Sequence, residues 1–144
     1  MELDRQFVSE ALIRRLRSVS ALDDEDVRAV QSLPHTVRRY PANQPIVRDG
    51  DKPSECCLIM EGFCLRAKTT SHGHTQILSF HNPGDIPDLE SLHLHVMDHD
   101  LVTLTECTLN FISHSALRHL TRRRYGVAEA LWRETLSIGL QYWL

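Results

Sequence analysis

Seven of the nine histidines of this 144-residue chain lie between positions 69 and 117, beside six carboxylates and not one lysine or arginine. The histidines are His72, His74, His81, His93, His95, His99 and His114; the acids are Asp85, Asp88, Glu90, Asp98, Asp100 and Glu106. Imidazole and carboxylate together make metal ligands, and His93-x-His95-x-x-Asp98-His99-x-Asp100 is the cluster with the spacing for it. On a strand, residues two apart point to one face, so His93 and His95 would share a ligand face. Imidazoles beside carboxylates also titrate near neutrality, which would make the cluster a pH-responsive patch. The reading adopted needs neither: these histidines occupy a solvated loop and its neighbouring strand, and His72-Gly73-His74 an exposed hairpin tip. No resident metal or cofactor is expected.

Other reactive residues point no more strongly to catalysis. Cys56, Cys57, Cys64 and Cys107 show no paired metal-ligand spacing, and four such thiols fit a reduced, cytoplasmic setting. Vicinal Cys56-Cys57 has redox chemistry available, but Cys57 is expected to alternate into the core, where cysteine acts as a small hydrophobe. No nucleophile–base pair or matched carboxylate dyad stands out, so the chain is not read as an enzyme. Arg122-Arg123-Arg124 is read as a solvated turn. Sixteen Lys and Arg against nineteen Asp and Glu give −3, which offers no overall attraction to nucleic acid or acidic membrane. No apolar run approaches membrane-spanning length, and the first residues lack the apolar core of a signal peptide.

The elements that must carry these residues change period twice along the chain. Phe7-Val8-x-x-Ala11-Leu12-Ile13-x-x-Leu16 has one helical face, and Asp23 to Asp26 place acids at the start of a second helix closed by Pro34. From His35 to about Ser113 glycines fall at 50, 62, 73 and 84. Short β-rich runs lie around them at 36–40, 57–60, 63–67 and 75–80, followed by 101–105 and 108–112. Regular turn signals between short strands argue for a β-sandwich or roll. Helix returns over His114 to Arg123 and again from Tyr125. There Leu131, Trp132, Thr135, Leu136, Leu140 and Trp143, with Ala128, make a stripe of coiled-coil type. This stripe is read as a homodimer seam.

In this order, Tyr40-x-x-x-Gln44-x-Ile46-x-x-x-Gly50-Asp51, Cys57-Leu58-Ile59-Met60-Glu61-Gly62 and Gln76-Ile77-Leu78-x-Phe80-x-x-x-Gly84-Asp85-Ile86, then Leu104 onward into Ile112-Ser113, resemble the sensor domain of Crp/Fnr-type transcription regulators. The resemblance implies a mainly β fold with flanking helices: an antiparallel jelly roll (double-stranded β-helix) preceded by helices and followed by a long dimerisation helix. On that reading residues 1–124 are the cyclic-nucleotide-binding-like sensor domain and 125–144 the start of the dimerisation helix. The helix-turn-helix domain that follows in the family is not among these residues. Contact with DNA is therefore expected only through such a C-terminal domain, absent from this chain.

The resemblance also implies a ligand cassette after Gly84-Asp85, made of Phe80, Gly84, Asp85, Ile86, Asp88, Leu89, Glu90, Met97, Asp98 and His99, with a small-molecule effector as its occupant. Family members that bind cyclic AMP carry there a Glu for the ribose and Arg-Ser or Arg-Thr for the phosphate, a guanidinium and hydroxyl matched to the anion. Here Asp88 lies near the Glu place and Met97-Asp98 fall on the Arg-Ser place. The usual mode of cyclic AMP binding is accordingly not expected. Arg66 or an arginine of the terminal helix would have to reach in from outside the cassette, and neither is expected to do so. Two alternatives stand beside the sensor: a metal-dependent, cupin-like enzyme using His93, His95 and His99, and a stand-alone oligomerisation module with a vestigial pocket.

Overall fold

The computed structural model describes the backbone of residues 2–141 and the side chains of residues 9–137. Two helices come first, α1 (Glu2–Arg17) and α2 (Asp24–Gln31). Asp23 caps α2: its carboxylate accepts from the Asp26 amide at 2.7 Å, and the Asp26 carboxylate accepts from the Asp23 amide at 3.1 Å. This reciprocal pair satisfies two amide donors at the helix start.

Seven strands follow: β1 (Thr36–Tyr40), β2 (Pro45–Val47), β3 (Glu55–Glu61), β4 (Cys64–Thr69), β5 (Thr75–His81), β6 (Asp100–Thr103) and β7 (Cys107–Ser113). They form two antiparallel sheets, ordered β1-β7-β3 and β2-β6-β4-β5. Helices α3 (His114–Arg123) and α4 (Tyr125–Gln141) close the chain's described part. The result is an antiparallel jelly roll with flanking helices, as expected from the residues. Only the three-residue β2 lies outside the expected strands.

The β1-β7-β3 sheet is sandwiched, and β3 shows why its sequence is apolar on both faces. Cys56 and Leu58 join Leu12, Leu16, Val30, Ile112, Leu120 and Val127 in a core beneath the helices. Cys57 and Ile59 face the other way, joining Cys64, Leu101, Leu109 and Phe111 between the two sheets. Both vicinal thiols are thus buried, on opposite faces, and burial raises the pKa of each well above the usual cysteine range. A leucine buried as completely as Leu58 contributes on the order of 2 kcal/mol through removal from water alone.

One alternative falls and one local reading changes. Residues 93–99 form an irregular loop after the 3-10 turn Leu89–Leu92, so His93 and His95 do not share a strand face. Arg124 is no solvated turn residue: it binds Asp26 at 2.8 Å, Glu25 at 2.9 Å and Asp23 at 2.9 Å, clamping the start of α4 to the start of α2. Along α4, Val127, Ala130, Leu131 and Glu134 face the chain's own core. Leu131, expected in the dimer seam, is 2% exposed and packs inside. Trp132 and Leu136 stand exposed, and half-buried Thr135 turns its hydroxyl back to the Leu131 carbonyl. The side chain of Leu140 and all of Trp143 lie outside the described residues.

Candidate ligand site

The interior between the sheets turns polar toward the β4–β5 side of the roll. Cys64 and Arg66 are two apart on β4 and both are buried. β4 pairs with β6 so that Arg66 lies opposite Leu101, which brings the residues just before β6 alongside the guanidinium. There Arg66 Nη2 donates to Glu90 Oε1 at 2.8 Å and Arg66 Nε donates to His99 Nε2 at 3.2 Å. Since Nε2 of His99 accepts, its Nδ1 carries the proton, which it donates to Asp98 Oδ1 at 2.9 Å. This hydrogen bond, before all else, lowers the Asp98 pKa. The Arg66 and His99 side chains are each 2% exposed, Glu90 15% and Asp98 79%, so the cluster opens to solvent on the acid side.

Arg66 is therefore the finding that overturns one expectation. A cation does reach the cassette, from β4, and it is held by the cassette's own carboxylate. Burial pulls the guanidinium's pKa down while Glu90 pulls it back up. The other Glu90 oxygen, Oε2, is buried with no hydrogen-bond partner among the described residues.

The remaining cassette residues go elsewhere. Asp88 is fully buried and turned to the backbone, accepting from the Cys57 amide at 2.8 Å. Burial pushes its pKa up to about 7, against the lowering effect of that hydrogen bond. Ile86 and Leu89 join the core beneath the helices, and Met97 the core between the sheets. Phe80 projects from the roll, 65% exposed. Gly84 and Asp85 lie against β3, with Gly84 N donating to the Ile59 carbonyl at 2.9 Å and Ile59 N to the Asp85 carbonyl at 3.0 Å.

The same turn is wired to the helices. Buried His81 binds Ser79 Oγ through Nε2 at 2.7 Å and Asp85 through Nδ1 at 3.3 Å. Asp85 in turn pairs with Arg15 of α1, which also donates to the Gly84 carbonyl at 2.9 Å and lies 3.8 Å from Glu134 of α4. Desolvation tends to raise the Asp85 pKa, but its bonds to His81, the Asn82 amide and Arg15 bring it below the usual carboxylate value.

His93 and His95 are exposed on the loop while His99 is buried, and no group of three potential metal ligands converges among the described residues. Arg66, His81, Arg15 and Glu134 were not singled out as site residues from the sequence. The legible signal was a charge two residues from Cys64 on a strand whose inward positions are otherwise apolar or small.

The connection between β5 and β6 thus lays polar side chains over an arginine in the interior of the roll. The cyclic nucleotide-binding domain family matches residues 37–124, and the chain belongs to that family. Comparison with curated proteins finds no match. Among solved structures, the sensor domain of the transcriptional regulator DNR from Pseudomonas aeruginosa superposes with a TM-score of 0.78 at 14% identity, over 95% of this chain and 91% of that one. The N-terminal domain of a transcriptional regulator from Streptomyces coelicolor A3(2) gives 0.70 at 23% identity, over 88% of each chain. The catabolite activator protein of Thermus thermophilus gives 0.72 at 24% identity, over 88% of this chain and 58% of that one. These likenesses establish the shared fold.

Proposed function

We propose that this chain is the signal-sensing domain of a Crp/Fnr-type transcription regulator of the cytoplasm, dimeric through α4 and contacting DNA through a C-terminal domain outside these residues. The reading holds that it does not take cyclic AMP in the usual mode. The observation that carries this is the occupation of the cassette. Its acids, Asp88 and Glu90, are committed to the Cys57 amide and to Arg66, and no lysine or arginine lies between Gly84 and His99. A nucleotide phosphate would meet carboxylates where it needs a guanidinium fork.

A signal at the cassette has a route to α4. Asp85 and the Gly84 carbonyl hold Arg15, and Arg15 faces Glu134, so a shift of the turn changes what the terminal helix packs against. The exposed Trp132 and Leu136 offer α4 an apolar stripe for a second copy.

Thermal unfolding with millimolar cyclic AMP or cyclic GMP tests the ligand half: no stabilisation is expected, and a rise of several degrees would overturn it. Sedimentation velocity tests the dimer half. The chain is expected to sediment as a dimer and Trp132→Glu with Leu136→Glu as a folded monomer; a wild-type monomer at tens of micromolar would refute the seam.

A further inference from the structure

We infer that Glu90 is a built-in occupant of an anion-binding position at Arg66, so that a ligand opening this cassette must carry a carboxylate or phosphate that takes the place of Glu90. The inference rests on reading the chain as a sensor, and it names the chemical class of what is sensed.

Several observations join here. Arg66 is a full cation buried between two sheets, a position that costs stability unless an anion meets it. The anion that meets it comes from the segment connecting β5 and β6, and not from a neighbouring strand. Glu90 contacts Arg66 through one oxygen, Oε1, while Oε2 is buried without a hydrogen-bond partner among the described residues. A guanidinium and a carboxylate can share two parallel hydrogen bonds, so this pairing is a weak form of what the two groups can make. A free anion able to use both its oxygens replaces the contact with a better one and releases Glu90 to water.

The geometry also gives the exit. Glu90 is the partly exposed member, while Arg66 and His99 are closed off behind it. His99 Nε2 lies 3.4 Å from Glu90 Oε1 and accepts from Arg66, so it orients the guanidinium toward the carboxylate's position. Departure of Glu90 would shift the 3-10 turn Leu89–Leu92, whose Leu89 and Leu92 are set in the helix-side core. The anion is therefore coupled to the helices by packing as well as by charge.

Chemical rescue tests this on the purified chain. Glu90→Ala vacates the position and removes the Glu90 carboxylate from Arg66; its melting temperature is expected to fall and then to rise by several degrees with sodium acetate or phosphate, saturably, relative to sodium chloride at equal ionic strength. The wild-type chain, already occupied, should respond far less. Arg66→Met combined with Glu90→Ala removes the cation with the anion and should fold without responding to acetate. An equal acetate response in Glu90→Ala and the double variant would overturn the inference, as would a Glu90→Ala melting point that no anion moves. If Glu90→Ala fails to fold, Glu90→Gln, which keeps the volume and drops the charge, carries the same comparison. Stabilisation of the wild type by cyclic AMP would instead count against the reading that cyclic AMP is not taken in the usual mode, which this rescue leaves untouched.

Discussion

A buried carboxyl group converts pH into folding stability, and Asp88 does so in the less common direction. Its folded pKa is about 7, against an ordinary aspartate value of 3.8. Below about pH 4 the group is protonated in both states and contributes nothing. Between about 4 and 7 the folded chain holds a proton the unfolded chain has lost, so stability falls as pH rises, by at most about 1.4 kcal/mol per pH unit from this group. Above 7 the loss is complete. Asp88→Asn keeps an oxygen to accept from the Cys57 amide and removes the titration. The variant is expected to match the wild type near pH 4 and to exceed it in urea unfolding free energy at pH 8. A difference that stays constant from pH 4 to pH 8 would show that Asp88 ionises normally.

At the scale of elements, the turns decide how the strands meet, and two glycines with nearly the same positive φ make a controlled comparison. Gly62, between β3 and β4, has φ +91° and Gly50 has φ +90°. A Cβ on Gly62 would lie 2.3 Å from the Glu106 carbonyl oxygen and 2.7 Å from Cys107 Sγ, whereas one on Gly50 meets nothing within 4 Å. Gly50→Ala should therefore cost about 1–2 kcal/mol, the left-handed strain alone. Gly62→Ala adds a backbone collision and should cost more than about 3 kcal/mol by denaturant titration. Equal losses would mean that the two turns are equally open. The same glycines explain why the roll was legible in the sequence: they punctuate runs whose apolar and β-branched residues can do little else. β2 escaped because Pro45-Ile46-Val47 is too short to show a period. The alternative of a shared ligand face for His93 and His95 fails because residues two apart share a face only in an extended chain, and 93–99 is an irregular loop. The cassette was legible from Gly84-Asp85. Arg66 was not, because its carboxylate partner Glu90 lies 24 residues on, in the connection between β5 and β6, a contact no local pattern announces.

Across the whole molecule, the roll and its helices are joined by apolar packing and, among the described residues, by an ionic bracket centred on Arg15. Arg15 spans from the Gly84–Asp85 turn to Glu134, whose side chain is 4% exposed with Oε2 buried and unpartnered among the described residues. Burial raises the Glu134 pKa and Arg15 opposes it, so the arginine is what makes a carboxylate tolerable on the inner face of α4. Arg15→Met removes both hydrogen bonding to the turn and compensation for the helix. Amide hydrogen exchange should then quicken in residues 82–85 and 127–137, while the central strand β7, held between β1 and β3, keeps its protection. Adding Glu134→Gln discharges the stranded carboxylate and should restore protection to α4 but not to the turn, which still lacks Arg15. That split is the distinguishing result: uniform loosening in the single variant, or recovery of both segments in the double, would mean that Arg15 contributes general stability and does not connect the cassette to α4.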